Sequence, residues 1–111
     1  DPAFDLAFCL NHLLLKCVWR KASRDAFLAS FVALRETYLE SVVYEPVTGV
    51  EERTCGLLAG MLLARVDGKS PVEYITDAAE QDRVRQFAKA KLRVIPRSLV
   101  EIADEWRLYW S

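Results

Sequence analysis

Apolar residues recur along this chain at helical spacing. Phe27, Phe31, Leu34 and Tyr38 follow one another at intervals of four, three and four, an amphipathic stripe that predicts a helix. Ser23 is its N-cap and it should end near Val43. Before it, Asp1 can cap a helix and Pro2 suits the first helical position. That helix runs to about Arg20, and its apolar residues, among them Phe4, Leu6, Phe8, Leu10, Leu13, Leu14, Leu15, Val18 and Trp19, point nearly all round. Such a helix is expected to be surrounded by the others. Tyr44 to Gly49, with Pro46 and Gly49, reads as a loop. A third helix over about Val50 to Val66 carries Gly56, Gly60 and Ala64 on one face at intervals of four. Because glycine in mid-helix costs up to ~1 kcal/mol relative to alanine, a tight helix crossing there is expected to offset it. Asp67-Gly68 ends this helix. Ser70-Pro71-Val72-Glu73 predicts a short helix from Pro71. Asp77, with Glu80 three residues on, predicts a longer one carrying Val84, Phe87, Ala88 and Leu92 that Pro96 stops. Ser98 with Glu101 opens the last, with Leu99, Ile102, Trp106 and Tyr109. No stretch alternates long enough for a strand, and no repeat period emerges. The expected architecture is all-α, an irregular bundle of five or six helices within one domain, 1–111.

Composition narrows the function classes. With 52% hydrophobic residues in 111 the chain can build a core. Fifteen Lys and Arg against sixteen Asp and Glu leave a net charge of -1, which gives no field for phosphate backbones or acidic membranes, so no nucleic-acid partner is expected. The longest uncharged stretch, Cys55 to Ala64, falls short of the roughly 20 residues that span a bilayer. Three unclustered cysteines, Cys9, Cys17 and Cys55, and no secretory leader make a reducing, cytoplasmic setting the expectation. The chain enters an apolar helix at once, with no initiator Met, and reads as cut from something longer.

One feature of the first helix carries chemistry. Asp5, Cys9, His12 and Lys16 fall at four, three and four, a narrow polar stripe in an otherwise apolar element. It lines a polar pocket or satisfies neighbouring backbone; for His12, beside Asn11, both roles stand. Cys9 and His12 are too few ligands for zinc and sit on adjacent turns of one helix, a poor nucleophilic pair, so the cysteines are expected to fill core space. Arg65-Val66-Asp67-Gly68-Lys69-Ser70-Pro71 joins two helices with fixed charges that either meet an anionic or hydroxylated ligand or pair with each other in solvent. Trp106 and Trp110 are packing aromatics.

Two segments carry a resemblance. Asp1-Pro2-Ala3-Phe4-Asp5-Leu6-Ala7-Phe8 resembles the G-D-P-x-x-D-L-A segment of the aminoglycoside phosphotransferase and choline kinase superfamily, which has a protein-kinase-like fold; the Gly that precedes it there is missing here. Leu62 to Tyr74 is similar to a stretch near the C-terminus of bacterial members. The resemblance covers nearly the whole chain and implies the helical C-terminal subdomain of a larger phosphotransferase. The family's catalytic Asp, in H-G-D-x-x-x-x-N, and its magnesium-binding Asp would both precede Asp1. The implication is that this chain has no catalytic, cofactor-binding or metal-binding residue, that Mg and ATP belong to the parent protein, and that the chain alone is inert. Asp5 matches the family's Asp that holds the catalytic loop through its backbone N–H groups. Arg65 lies where related methylthioribose kinases have a pair of arginines, although Ala64 precedes it here, and is an expected substrate contact. Asn11, His12, Asp67 and Lys69 are further candidates for the substrate pocket.

Two functions follow. The first is the substrate-side helical portion of a kinase that phosphorylates a hydroxyl of an aminoglycoside-, choline- or sugar-like small molecule. Its partners are the upstream N-terminal lobe and catalytic loop, with self-association through an exposed first-helix surface. The alternative is an autonomous helical protein-interaction module without enzymatic activity.

Overall fold

The helices that open at Pro2, Ala78 and Leu99 start where a side chain relieves the unpaired N–H groups of the first turn. The computed structural model describes residues 1–68 and 74–111. The Asp1 carboxylate accepts the Ala3 N–H at 3.1 Å to open α1, Pro2–Trp19. A 3-10 turn, Lys21–Ser23, leads directly into α2, Arg24–Glu40, so Ser23, expected to cap that helix, makes no side-chain cap. Helix α3 is Val47–Asp67, α4 is Ala78–Arg93 and α5 is Leu99–Trp110. The Asp77 carboxylate caps α4 through the Ala79 N–H at 3.4 Å, and the Ser98 hydroxyl caps α5 through the Val100 N–H at 3.2 Å. All five are α-helices and the described residues hold no strand, so the all-α bundle expected from spacing is what forms. None of these helices is long and apolar enough to cross a membrane. The short helix expected from Pro71 lies outside the described residues.

Two boundaries differ from the sequence reading, each for a local reason. Helix α2 stops at Glu40 rather than near Val43, because Ser41 turns the chain, its hydroxyl and N–H both donating to the Tyr38 carbonyl at 2.6 and 3.1 Å. Helix α3 starts at Val47 rather than Val50. Pro46 has an extended ψ of 129° and acts as N-cap, its carbonyl accepting the Gly49 and Val50 N–H groups at 3.1 and 3.3 Å. Gly49 is therefore helical. At the other end the Gly68 N–H closes on the Ala64 carbonyl at 2.7 Å, and a Cβ on Gly68 would run into that carbonyl. Only glycine fits that close approach.

The helices alternate in direction. Arg53 reaches Asp1 at the start of α1 and α3, and Tyr74, beyond the end of α3, packs on Trp19 at the end of α1, so these two run parallel. Ile95 folds back over Gly56 while Arg85 grips Asp67, which sets α4 antiparallel to α3. Leu6, Leu10, Leu14, Phe31, Leu58, Leu62, Ile102 and Trp106 fill the interior. The Trp106 indole N–H donates to the Leu14 carbonyl at 3.0 Å, so the largest core side chain is satisfied as well as enclosed. Trp106 and Trp110 are both buried, the packing role expected of them.

Three packing expectations are corrected. Helix α1 is not surrounded: Phe4 and Phe8 are 51% and 44% exposed. Leu92 points outward instead of joining Phe87 and Ala88 in the core. The Gly56-Gly60-Ala64 stripe makes no close helix crossing: Gly56 meets only the Ile95 side chain, at 3.5 Å, and a Cβ on Gly60 would have nothing within 4 Å. The buried face of α3 lies opposite, on Thr54, Cys55, Leu58 and Leu62.

A carboxylate ties three helices together. Glu51, 8% exposed, accepts from Arg35 Nε at 2.7 Å and Nη2 at 3.1 Å. Its Oε2 also accepts the Leu99 N–H at 2.8 Å. It thus neutralises a cation from α2 and occupies the positive end of α5, where an anion is favoured. Burial alone would push the Glu51 carboxyl up; the Arg35 hydrogen bonds, the Leu99 N–H and the Arg35 charge outweigh it and hold it below the usual 4.5. The folded chain therefore binds that proton less readily than the unfolded chain. The contribution is present above pH ~4.5 and is lost as pH falls through the folded value. Removing one partner of a buried pair costs several kcal/mol, so Glu51→Ala is expected to lower the unfolding free energy in urea by about 3 kcal/mol. A loss under ~0.5 kcal/mol, typical of an exposed pair, would show that the carboxylate ties nothing.

Candidate functional site

The polar stripe of α1 faces outward. Asp5 and Cys9 are exposed, and His12 and Lys16 are half-buried, so the stripe lies on the surface of the helix and the protein spends no buried space on it. Cys9 is not a core filler. Cys17 and Cys55 are, and burial pushes their thiols up to about 11 and about 12, which keeps both protonated and unreactive.

Three of the helical residues meet around Phe8. The His12 imidazole stands edge-on to the Phe8 ring with centroids 5.1 Å apart, and the Arg65 guanidinium lies over the same ring at 5.6 Å. Residues four apart on α1 are neighbours, and Arg65 comes from α3 where that helix runs alongside, so the parallel packing of α1 and α3 assembles the group. Burial first, then the Arg65 charge and the Lys16 charge, lower the His12 pKa below 6.5. At neutral pH the imidazole is uncharged and keeps a nitrogen lone pair to accept a hydrogen bond or a proton. The Arg65 charge also reaches Tyr74, whose ring is tilted against Trp19 at the far end of α1 at 5.1 Å. Its hydroxyl is buried with no hydrogen-bond partner among the described residues. Burial pushes that phenol up and the Arg65 charge pulls it back in part. The result is an aromatic patch bearing one neutral imidazole and two cations, suited to a ligand that offers hydroxyl donors to the imidazole and apolar or ring surface to Phe8.

The other sequence candidates go elsewhere. Asn11 is wholly buried between α1 and α3. Its amide donates to the Ala7 carbonyl at 3.5 Å and to the Phe8 carbonyl, and approaches Met61 Sδ at 4.0 Å, while Oδ1 has no partner among the described residues. One step along the helix separates it from His12 and sends it inward. Asp67 finds a partner outside its own segment. Arg85 of α4 grips it, with Nε at 2.9 and 3.0 Å from its two oxygens and Nη2 at 2.8 Å from Oδ1. That hydrogen bonding holds the Asp67 carboxyl below its usual value. Asp82 adds a second anion to Arg85 at 2.9 Å. Asp67 is thus a clasp between α3 and α4. Lys69 lies outside the described residues. Sequence reasoning missed Phe8 and Tyr74: the first is legible in its four-residue spacing to His12, the second comes from a distant segment and leaves no such signal.

No hydrogen bond joins Cys9 to His12. Among the described residues no group of three or more His, Cys, Asp or Glu could hold a metal ion. Magnesium, which the family resemblance implies for a parent protein, finds no fitting donor set among the described residues. The chain matches no protein-family model, no curated protein and no solved structure.

The electrostatics of His12 can be read directly. In an NMR titration His12 is expected to titrate below 6.5, and Arg65→Ala should move it part of the way back. The unfolded chain takes up the His12 proton more readily than the fold, so this group destabilises the fold as pH drops below 6.5. A value at or above 6.5 in the unaltered chain contradicts the burial and the two cations assigned to it.

Proposed function

We propose that residues 1–111 form the substrate-side helical portion of an ATP-dependent small-molecule kinase, one that transfers a phosphoryl group to a hydroxyl of an aminoglycoside-, choline- or sugar-like substrate. The observation that carries this reading is Asp5. An acid that orders another loop through its N–H groups must stand clear of its own fold, and the Asp5 carboxylate does so, between the exposed rings of Phe4 and Phe8. This is the segment that resembles G-D-P-x-x-D-L-A. In this reading the upstream lobe and catalytic loop cover that face, and ATP and magnesium are held there. His12 and Arg65, one to two turns further along, meet the substrate. Phosphoryl transfer depends on positioning and on neutralised charge, so what this portion supplies is position: Arg65 orients the acceptor and neutral His12 accepts a hydrogen bond from its hydroxyl. The chain would work in the cytoplasm, and its three cysteines are unpaired.

A second reading has an observation of its own. The helices close a core around Trp106 and complete the Glu51 tie without outside help, as an autonomous interaction module would.

Both readings meet in one experiment on the full reading frame that encodes the chain. Purified product is supplied with labelled ATP, magnesium and a panel of aminoglycosides, choline, homoserine and sugars. The kinase reading expects transfer to one class of acceptor, a fall in kcat of ~100-fold or more for Asp5→Ala through the misplaced loop, and a fall in kcat/KM of ~10-fold or more for Arg65→Ala. No transfer to any acceptor, from a frame that lacks H-G-D-x-x-x-x-N upstream, leaves the module reading.

A further inference from the structure

At the end of the bundle where α1 begins, aromatic rings stand around the Asp5 carboxylate. Arg53 of α3 draws Asp1 and Glu45 together through Nη2, at 3.3 and 2.7 Å, and so holds the turn after α2 against the first turn of α1. That turn brings Val43 and Tyr44, both largely exposed, to the same end as the exposed Phe4 and Phe8. Asp5 follows Phe4 directly and precedes Phe8 by three residues, so its carboxylate neighbours the Phe8 ring on the helix surface. Tyr38, near the end of α2, stands on the other side. Burial first, then the charges of Asp5, Tyr44 and Cys9, raise its phenol, and those charges act on it only from close by. Among the described residues the Asp5 carboxylate enters none of the ion pairs. Exposed apolar groups gathered in one patch and rimmed by charge mark a surface that another molecule covers. The charge says of what kind: a carboxylate beside the negative faces of aromatic rings attracts a cation.

We propose that this end of the bundle docks a polypeptide segment that lays an arginine side chain on the Asp5 carboxylate, among the rings of Phe4, Phe8, Tyr38 and Tyr44. Arginine suits the place better than lysine. Its planar fork meets both oxygens of a carboxylate while its flat faces stack on rings, and it gives up water more easily than an ammonium. The protein makes each half of that contact within its own fold: Arg35 meets the two oxygens of Glu51 through two nitrogens, and the Arg65 guanidinium lies over the Phe8 ring. Apolar residues on either side of the arginine would cover Val43 and Tyr44. An acidic or wholly apolar segment would bury the Asp5 charge unpaired, at a large cost. A second copy meeting this end about a two-fold axis would set Asp5 against Asp5. The inference goes beyond both functional readings, since it names the side chain that the covering segment presents. In the kinase reading that segment belongs to the upstream lobe, and its backbone N–H groups and its arginine share Asp5, whose two oxygens together accept up to about four hydrogen bonds.

An NMR titration of residues 1–111 with a short peptide tests it and needs no kinase activity. The probe is acetyl-Leu-Arg-Leu-amide, and the control is the same peptide with citrulline, which keeps arginine's shape without its charge. Saturable shifts are expected at Asp5, Phe8, Tyr38 and Tyr44, with a dissociation constant on the order of 1 mM. The citrulline peptide should bind ~10-fold more weakly, as the loss of a charged hydrogen bond implies. Asp5→Asn, an exposed change, should keep the helical circular dichroism and weaken the arginine peptide by about the same factor. Tyr44→Ala, also exposed, should weaken it ~3-fold through the lost ring. Equal binding of the two peptides, an Asp5→Asn variant of unchanged affinity, shifts confined to other faces, or no saturable shift up to ~20 mM would each overturn the proposal. Shifts at Asp5 that change with protein concentration when no peptide is present would give the face to a second copy and overturn it as well.

Discussion

The constraint on which the rest of the bundle depends is the enclosure of the Glu51 carboxylate. A charge removed from water has to be matched where it sits, and this one is matched by α2 through Arg35 and by the first N–H of α5 through Leu99. Satisfying it fixes where α5 begins and how that helix lies against α2 and α3. Once α5 is placed, Trp106 falls on the Leu14 carbonyl, and the apolar side of α1 is held against the core. The opposite side of α1, with Phe4, Asp5, Phe8 and His12, is left facing out. The surface that carries the candidate chemistry is thus a consequence of where the buried ion pair put its helices.

What was legible in the sequence was local. Asp1, Asp77 and Ser98 each cap the helix they were expected to cap, because a short acceptor before a run of helix formers acts through the next two or three N–H groups. The errors came where two local signals competed. Pro46 and Gly49 look like a loop, yet Pro46 is also a good start for a helix, and its carbonyl collects Gly49 and Val50. Tertiary pairing left almost no trace. Arg35 and Glu51 are separated by sixteen residues, Asp67 and Arg85 by eighteen, and nothing in either neighbourhood marks one as the other's partner. The Gly56-Gly60-Ala64 stripe was expected to mark a tight helix crossing, but the spacing of small residues does not say which face a helix buries: Gly56 meets the Ile95 side chain and a Cβ on Gly60 would meet nothing within 4 Å.

The candidate site was half legible for the same reason. His12 was visible as a polar residue among apolar ones, and the structure adds why it is neutral: partial burial beside two cations. Periodicity could not separate Asn11 from His12, though one hundred degrees of helix rotation sends the first into the α1–α3 interface and the second to the surface. Arg65 joins His12 only through the parallel packing of α1 and α3. Asp67, which shares a segment with Arg65, is taken up by Arg85 and serves the fold.

Amide hydrogen exchange at Leu99 tests the central role of Glu51 most directly, because that N–H is the first of its helix and Glu51 is its acceptor. If the carboxylate ties α5 to the bundle, the Leu99 amide exchanges only with global unfolding, at the rate of the slowest core amides. Exchange of Leu99 orders of magnitude faster than the core, with α5 opening while α1 to α4 stay protected, would contradict it.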